Sequence, residues 1–173
     1  MEPEASALVI VLGPTAVGKS RVAVDLALRF GGEIISGDSI QVYRGFDLGS
    51  AKPSAAERAA VPHHLFDIVD AGDEFNASDY AARAARVTHE IRERHRLPVF
   101  VGGTGFYLRA FLAGLPEMPG RNETLRARLR PILDRPRGRA RLHRMLTRLD
   151  PQGAARIAPA DRHRLERALE VAL

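Results

Sequence analysis

Up to about residue 101 the apolar positions fall in short unbroken runs separated by helix-spaced stripes, and beyond residue 110 only the stripes remain. Residues 8–12, 33–36, 65–69 and 99–101 are short β-prone runs, the pattern of strands covered on both faces. The first of them reads as a central strand. Between them, residues 19–30 read as a helix with Val22, Leu26 and Phe30 on one face, stopped by Gly31-Gly32. Asn76 with Asp79 three residues on has capping-box spacing and opens a second helix, whose stripe runs Ala77, Tyr80, Ala81, Ala84, Val87 and Ile91 until Pro98 closes the segment. Ser54 and Glu57 have the same spacing between two prolines and predict a short helix.

Strands alternating with helices imply an α/β fold, a parallel sheet covered by helices, over residues 1–113. Residues 114–173 read as a small all-helical segment. Leu125, Leu129, Ile132 and Leu133 mark one helix there, Leu142, Met145, Leu146 and Leu149 a second, and Leu165, Ala168, Leu169 and Ala172 a third. The second helix carries Arg137, Arg141, Arg144 and Arg148 along its other side, a positive stripe at helical spacing.

Where the first run meets the first helix stands Gly13-Pro14-Thr15-Ala16-Val17-Gly18-Lys19-Ser20, which fits the phosphate-loop pattern G-x-x-x-x-G-K-[ST] in the one context that gives it physical meaning, strand before and helix after. Its amides can turn inward around an anion, Lys19 adds a mobile charge, and the Ser20 hydroxyl can ligand Mg²⁺. The sheet is therefore expected to be of the P-loop NTPase type. In an ordinary P-loop kinase or NTPase another apolar strand ends in a carboxylate that helps hold the metal. Here residues 99–101 lead instead into Gly102-Gly103-Thr104-Gly105, and the well-placed carboxylate is Asp38, after the second strand. Asp38 then suits the reacting nucleophile and Thr104 a phosphate oxygen. The plainer alternative is that Asp38 and Ser39 cap a turn and Thr104 caps a helix.

Composition sharpens this. The net charge of +5 divides into −3 over residues 1–100 and +8 over residues 101–173, so the second part is the one suited to a polyanion such as nucleic acid. Of the 26 basic residues only Lys19 and Lys52 are lysines, which singles out Lys52 as a second place where a compact ammonium is required, as beside a phosphate. With no cysteine, neither a disulfide framework nor a thiolate zinc site is available. The apolar run at residues 7–12 is too short for a signal or membrane segment, and a cytoplasmic protein is expected. His63-His64 reads as a pair of local hydrogen-bonding residues, not a metal pair, because neighbours on an extended chain point apart.

The phosphate loop, Asp38-Ser39-Ile40-Gln41-Val42-Tyr43, Asp47-Leu48-Gly49-Ser50-Ala51-Lys52-Pro53, His63-His64-Leu65 and Gly102-Gly103-Thr104-Gly105-Phe106-Tyr107 together resemble the tRNA dimethylallyltransferase family. Arg164-Leu165-Glu166-Arg167-Ala168-Leu169-Glu170-Val171 is similar to a tRNA-contacting segment of the same family. The resemblance implies transfer of a dimethylallyl group from its diphosphate to the N6 amine of an adenosine beside a tRNA anticodon, with Mg²⁺ and a leaving diphosphate in the loop. By that resemblance Asp38 is the general base, Thr104 steadies the bridging oxygen, and Ser39, Ile40 and Gln41 touch the base. Arg126, His163, Arg164, Leu165, Glu166 and Arg167 grip the anticodon stem-loop. Members of the family continue well past residue 173, so a monomer when complete, and no turnover by this chain alone, are expected. The competing classes are a P-loop kinase or NTPase and a prenyltransferase acting on free adenine nucleotides.

Overall fold

The computed structural model describes residues 7–103, 105–116 and 118–173. The chain divides into two compact units, Met1–Leu115 and Pro116–Leu173.

In the first unit, β1 (Val9–Leu12), α1 (Lys19–Phe30), β2 (Gly32–Ser36), α2 (Ala55–Ala60), β3 (His63–His64), α3 (Ala77–Glu93), β4 (Leu97–Gly102) and α4 (Gly105–Ala113) follow in order. The strands form a parallel sheet in the order β1-β4-β2-β3, with Val9 opposite Val99 and Ile34 opposite both Val99 and His63. Alternation along the strands feeds two cores. Ile34, Val99 and Val101 meet Ala23 and Ala27 of α1 on one face, and Ile35 and Phe100 meet Tyr80, Ala84, Ile91, Tyr107 and Ala110 of α3 and α4 on the other. The Tyr80 and Tyr107 rings stack with centroids 4.2 Å apart, and the buried Tyr80 hydroxyl donates to the Ser36 carbonyl at 2.8 Å. Both expected capping boxes are formed, at Ser54 with Glu57 and at Asn76 with Asp79.

Three expectations are corrected. β1 stands at the edge of the described sheet, not in its centre: it pairs with β4 alone among the described residues, and its Ile10 and Leu12 are exposed, because an unbroken apolar run reports neither rank in the sheet nor cover on both faces. α1 seats itself through Ala23 and Ala27, while Val22 and Phe30 are exposed. Small side chains win because the helix lies close to the sheet; a Cβ built on Gly32 would come 3.3 Å from the Ala27 Cα. Finally, β3 is His63–His64, and residues 65–69 are not a strand. Leu65 and Asp67 have φ of 64° and 54°, which break extended backbone and turn the Asp67 carboxylate toward Lys52 and Arg58.

The second unit comprises α5 (Glu123–Leu133), α6 (Pro136–Leu149), α7 (Pro151–Ala155) and α8 (Arg162–Ala172) around Leu129, Leu133, Leu142, Leu146, Leu165 and Leu169. Met145 and Leu149 lie at its exposed rim instead of in the core. Charge locks α5 to α8. The Glu170 carboxylate, fully buried, accepts both arms of Arg126 at 2.7 and 2.8 Å, the Asn122 N–H at 2.7 Å, and Arg167. Arg130 bonds Glu166 at 3.0 Å. The Arg126 hydrogen bonds outweigh burial and hold the Glu170 pKa down at about 2, against 4.5 for a free carboxyl.

A carboxylate with a depressed folded pKa contributes stability in full above its ordinary pKa and loses it as pH falls through the folded value. The helical unit is therefore expected to lose stability progressively from about pH 4.5 to pH 2. Glu170→Ala strands Arg126 and is expected to cost about 3–5 kcal/mol, read by urea unfolding followed by circular dichroism, with a shallower acid loss in the variant.

Candidate phosphate and base-acceptor site

Three strand ends deliver the site. The loops after β1, β2 and β4 leave the same carboxyl edge of the sheet, where open parallel sheets place ligands. Gly18, with φ of 87°, supplies the left-handed turn that ends the loop and starts α1, and the Lys19 ammonium lies across the loop, donating to the Pro14 carbonyl at 2.6 Å. Gly37 follows β2 with its N–H on the Val101 carbonyl at 2.8 Å. Any Cβ there would sit 2.1 Å from the Phe100 ring, so the residue that delivers Asp38 has to be glycine.

These ends enclose a cavity of about 310 Å³ lined by Thr15, Ala16, Gly18, Lys19 and Ser20 of the loop, by Asp38 and Gln41, and by Gly102 and Gly103. The far wall comprises Ser50, Ala51, Pro53, His63 and Phe66. Gly13, Pro14, Val17, Ser39 and Ile40 do not line it, and Ile40 is half exposed beside it. Thr104 lies outside the described residues. Asp38 does cap its own turn: Oδ1 accepts the Ile40 N–H at 2.8 Å and the Gln41 N–H at 3.3 Å. That leaves its other oxygen without a hydrogen bond among the described residues, so turn-capping and a chemical role are compatible on one carboxylate.

His63 and Phe66 are wall residues that sequence reasoning did not assign. His63 Nδ1 lies 2.6 Å from the Val61 carbonyl, to which its N–H donates, and burial pushes the imidazole pKa down. His64 turns the other way and meets Glu33 at 2.6 Å, so the two histidines make separate local bonds. Lys52 has a different partner from the one its rarity suggested. It is absent from the cavity wall and bonds the Tyr43 carbonyl, Asp47 and Asp67.

In the helical unit, the residues named for gripping RNA are mostly engaged. Arg126 and Arg167 bind Glu170, Leu165 and Glu166 are buried, and Arg164 pairs with Asp161 at 3.2 Å, while His163 is exposed. Arg137, Arg141, Arg144 and Arg148 are all exposed on α6 and form no ion pair among the described residues.

The chain is similar to known proteins in sequence and in fold. The IPP transferase family profile matches residues 41–173, and an isopentenyl transferase profile matches residues 6–67. The chain belongs to the tRNA dimethylallyltransferase family. It is 54% identical to the tRNA dimethylallyltransferase of Anaeromyxobacter sp. (strain Fw109-5) over 95% of this chain and 55% of that one, and 51% identical to the Geobacter sulfurreducens protein of the same name over 96% and 53%. Among solved structures, the tRNA isopentenylpyrophosphate transferase of Bacillus halodurans superposes with a TM-score of 0.63 at 45% identity, covering 95% of this chain and 55% of its own. A eukaryotic dimethylallyltransferase acting on tRNA gives 0.78 at 28% identity, covering 95% and 41%. These family members have the P-loop NTPase-like sheet described above, and the chain spans about half the length of the curated relatives it matches.

If the loop is a phosphate site, Lys19→Ala is expected to weaken inorganic pyrophosphate binding by about 1.5–3 kcal/mol, the size of a charge-assisted hydrogen bond. Calorimetry with Mg²⁺ present measures it, and an unchanged affinity would refute the site.

Proposed function

We propose that this chain carries the diphosphate site and the base-acceptor site of an enzyme that moves a dimethylallyl group from dimethylallyl diphosphate to the N6 amine of an adenosine next to the tRNA anticodon. The observation that carries the reading is the shared cavity: Lys19 and Ser20 line it together with the carboxylate of Asp38, while β4 leads through Gly102 into Gly103 where an ordinary P-loop NTPase would offer an acidic residue. Such a site holds a diphosphate as a leaving group and keeps its one carboxylate for a proton.

The bond from the prenyl C1 to the diphosphate oxygen breaks as the bond from C1 to N6 forms, and the N6 proton passes to the second carboxylate oxygen of Asp38. Backbone N–H groups of Ile40 and Gln41 fix the carboxylate through its other oxygen, so the acceptor lone pair is already aimed. Lys19 and the loop amides receive the charge that grows on the departing diphosphate, with Thr104 assigned to the bridging oxygen. Ser39, Ile40 and Gln41 stand beside the acceptor carboxylate, where an extruded base would arrive.

Mg²⁺ suits the donor set: Ser20 brings a hydroxyl oxygen to the cavity, and no cluster of three metal-ligating side chains exists among the described residues, so diphosphate oxygens and water would complete the shell Mg²⁺ prefers. When bound it offsets diphosphate charge. The polyanionic partner is the anticodon stem-loop, and α6 with its four exposed arginines supplies the phosphate-tracking face, ahead of Arg126 and Arg167, whose guanidiniums hold Glu170. No helix among the described residues is long and apolar enough to cross a membrane, and the cytoplasm, with its tRNA, is the proposed location.

Asp38→Asn is expected to leave pyrophosphate affinity nearly intact and to lower the single-turnover rate by about 10² to 10⁴, assayed with unmodified tRNA on this segment joined to the remainder of its family's length. A near-normal rate would remove Asp38 as the base.

Replacing Arg137, Arg141, Arg144 and Arg148 together by Gln is expected to flatten the dependence of log K on log salt for RNA, by about 0.7 to 0.9 for each phosphate the helix no longer neutralises. An unaltered slope would make the stripe a solvated face.

A further inference from the structure

The Lys52 ammonium is buried beside the site, and what it organises is Gln41. Its side chain is 5% exposed, and its three N–H bonds are all used, on the Tyr43 carbonyl at 2.8 Å, Asp47 at 2.9 Å and Asp67 at 2.5 Å. Burial works against the charge, yet the hydrogen bonds Lys52 donates to Asp47 and Asp67 outweigh it and hold its pKa above that of an ordinary lysine. Arg58 bonds the second oxygen of Asp67 at 3.0 Å, so the group of two cations and two carboxylates is neutral overall and offers no net charge to a phosphate.

Each of those anchor points leads back to Gln41, Asp47 through its carbonyl, which accepts the Ser50 hydroxyl at 3.4 Å. Tyr43 lies two residues beyond it. The Asp67 N–H donates to the Gln41 carbonyl at 3.1 Å, and the Ile68 and Val69 N–H groups bond the Val42 carbonyl. The residues just before Lys52 supply the carbonyls of Ser50 and Ala51, each 2.9 Å from the Gln41 side-chain nitrogen, while Ser36 donates to its side-chain oxygen at 2.9 Å. Gln41 in turn helps hold Asp38 through its own N–H. The backbone around the ammonium is in unfavourable conformations, with left-handed φ at Ala51, Leu65 and Asp67, and such conformations persist only where surrounding bonds over-determine them.

We propose that Lys52 is a positioning residue for base recognition: by pinning Tyr43, Asp47 and Asp67 around Gln41 it sets where residues 38–41 stand against the cavity, and so which base the site accepts. The proposal rests on the adenosine-acceptor reading. It separates two functions of one cavity, since Lys19 bonds within the phosphate loop and Lys52 within the base-side network.

The test compares the parent chain with Lys52→Met, which keeps length and removes charge, and Lys52→Arg, which keeps charge but cannot present three tetrahedral donors in the same space. Two probes are titrated: inorganic pyrophosphate with Mg²⁺, and a pair of RNA hairpins with an unpaired adenosine or cytidine at one loop position. Both variants are expected to bind pyrophosphate within about twofold of the parent and to lose about tenfold in the adenosine-to-cytidine preference, the size of one misplaced hydrogen bond. A folded variant that keeps the parent's preference, or one that loses pyrophosphate in step with it, overturns the proposal. Asp47→Asn, altered at a largely exposed carboxylate, guards against a Lys52 variant that fails to fold: it is expected to lower the preference at least about twofold with pyrophosphate unaffected, and an unchanged preference again overturns the assignment. Equal binding of the two hairpins by the parent overturns the adenosine reading itself.

Discussion

The site exists because two backbones pass closer than any side chain permits. β2 and β4 leave the sheet side by side, and at Gly37 the Phe100 ring occupies the place of a Cβ, while a Cβ at Gly102 would lie 2.7 Å from the Gly37 carbonyl oxygen. Neither position tolerates even alanine without a shift of backbone or of a buried ring. The approach brings the carboxylate after β2 into the cavity that the phosphate loop opens after β1. Sheet geometry does the placing, and the side chains that act are left exposed enough to meet a ligand.

Charge is used in two distinct ways in this arginine-rich chain. Where a cation joins elements, it is tied to a carboxylate: Lys52 to Asp47 and Asp67, Arg94 to Glu33 at 2.7 Å, Arg126 to Glu170. Removing one member of such a group strands the others, and for that reason they hold structure together with little left for a partner. The four guanidiniums of the α6 stripe stand in solvent with no carboxylate partner among the described residues, and they retain their charge for something outside the molecule. Spacing along a helix does not distinguish these uses; only the partner does.

That difference explains what the sequence disclosed. The parallel α/β unit, the phosphate loop, the capping boxes and the helix stripes were legible because each is written in local chemistry: a run, a period, a cap at fixed offset. Asp38 was legible because it follows a strand end. His63 and Phe66 were not: His63 reaches the cavity by pairing with Ile34, and Phe66 lies in the bend between Leu65 and Asp67, where the left-handed backbone accompanies an ion pair across 15 residues. The edge position of β1 among the described strands was hidden as well, since an unbroken apolar run does not report how many strands lie beside it. The rarity of lysine drew attention to Lys52 but pointed to the wrong kind of partner, because a compact ammonium suits a carboxylate cluster as well as a phosphate.

The pairing of β1 also fixes an order of events. Val9 finds Val99, 90 positions along the chain, and among the described residues β1 hydrogen-bonds to no other strand. A pairing of such long range carries a larger loop-closure cost than a helix turn, which favours local helices forming before it. On the ribosome, where the amino end emerges first, the phosphate loop must wait for β4 before it has a sheet to stand on, so the segment made earliest in the site is among the last to become a site.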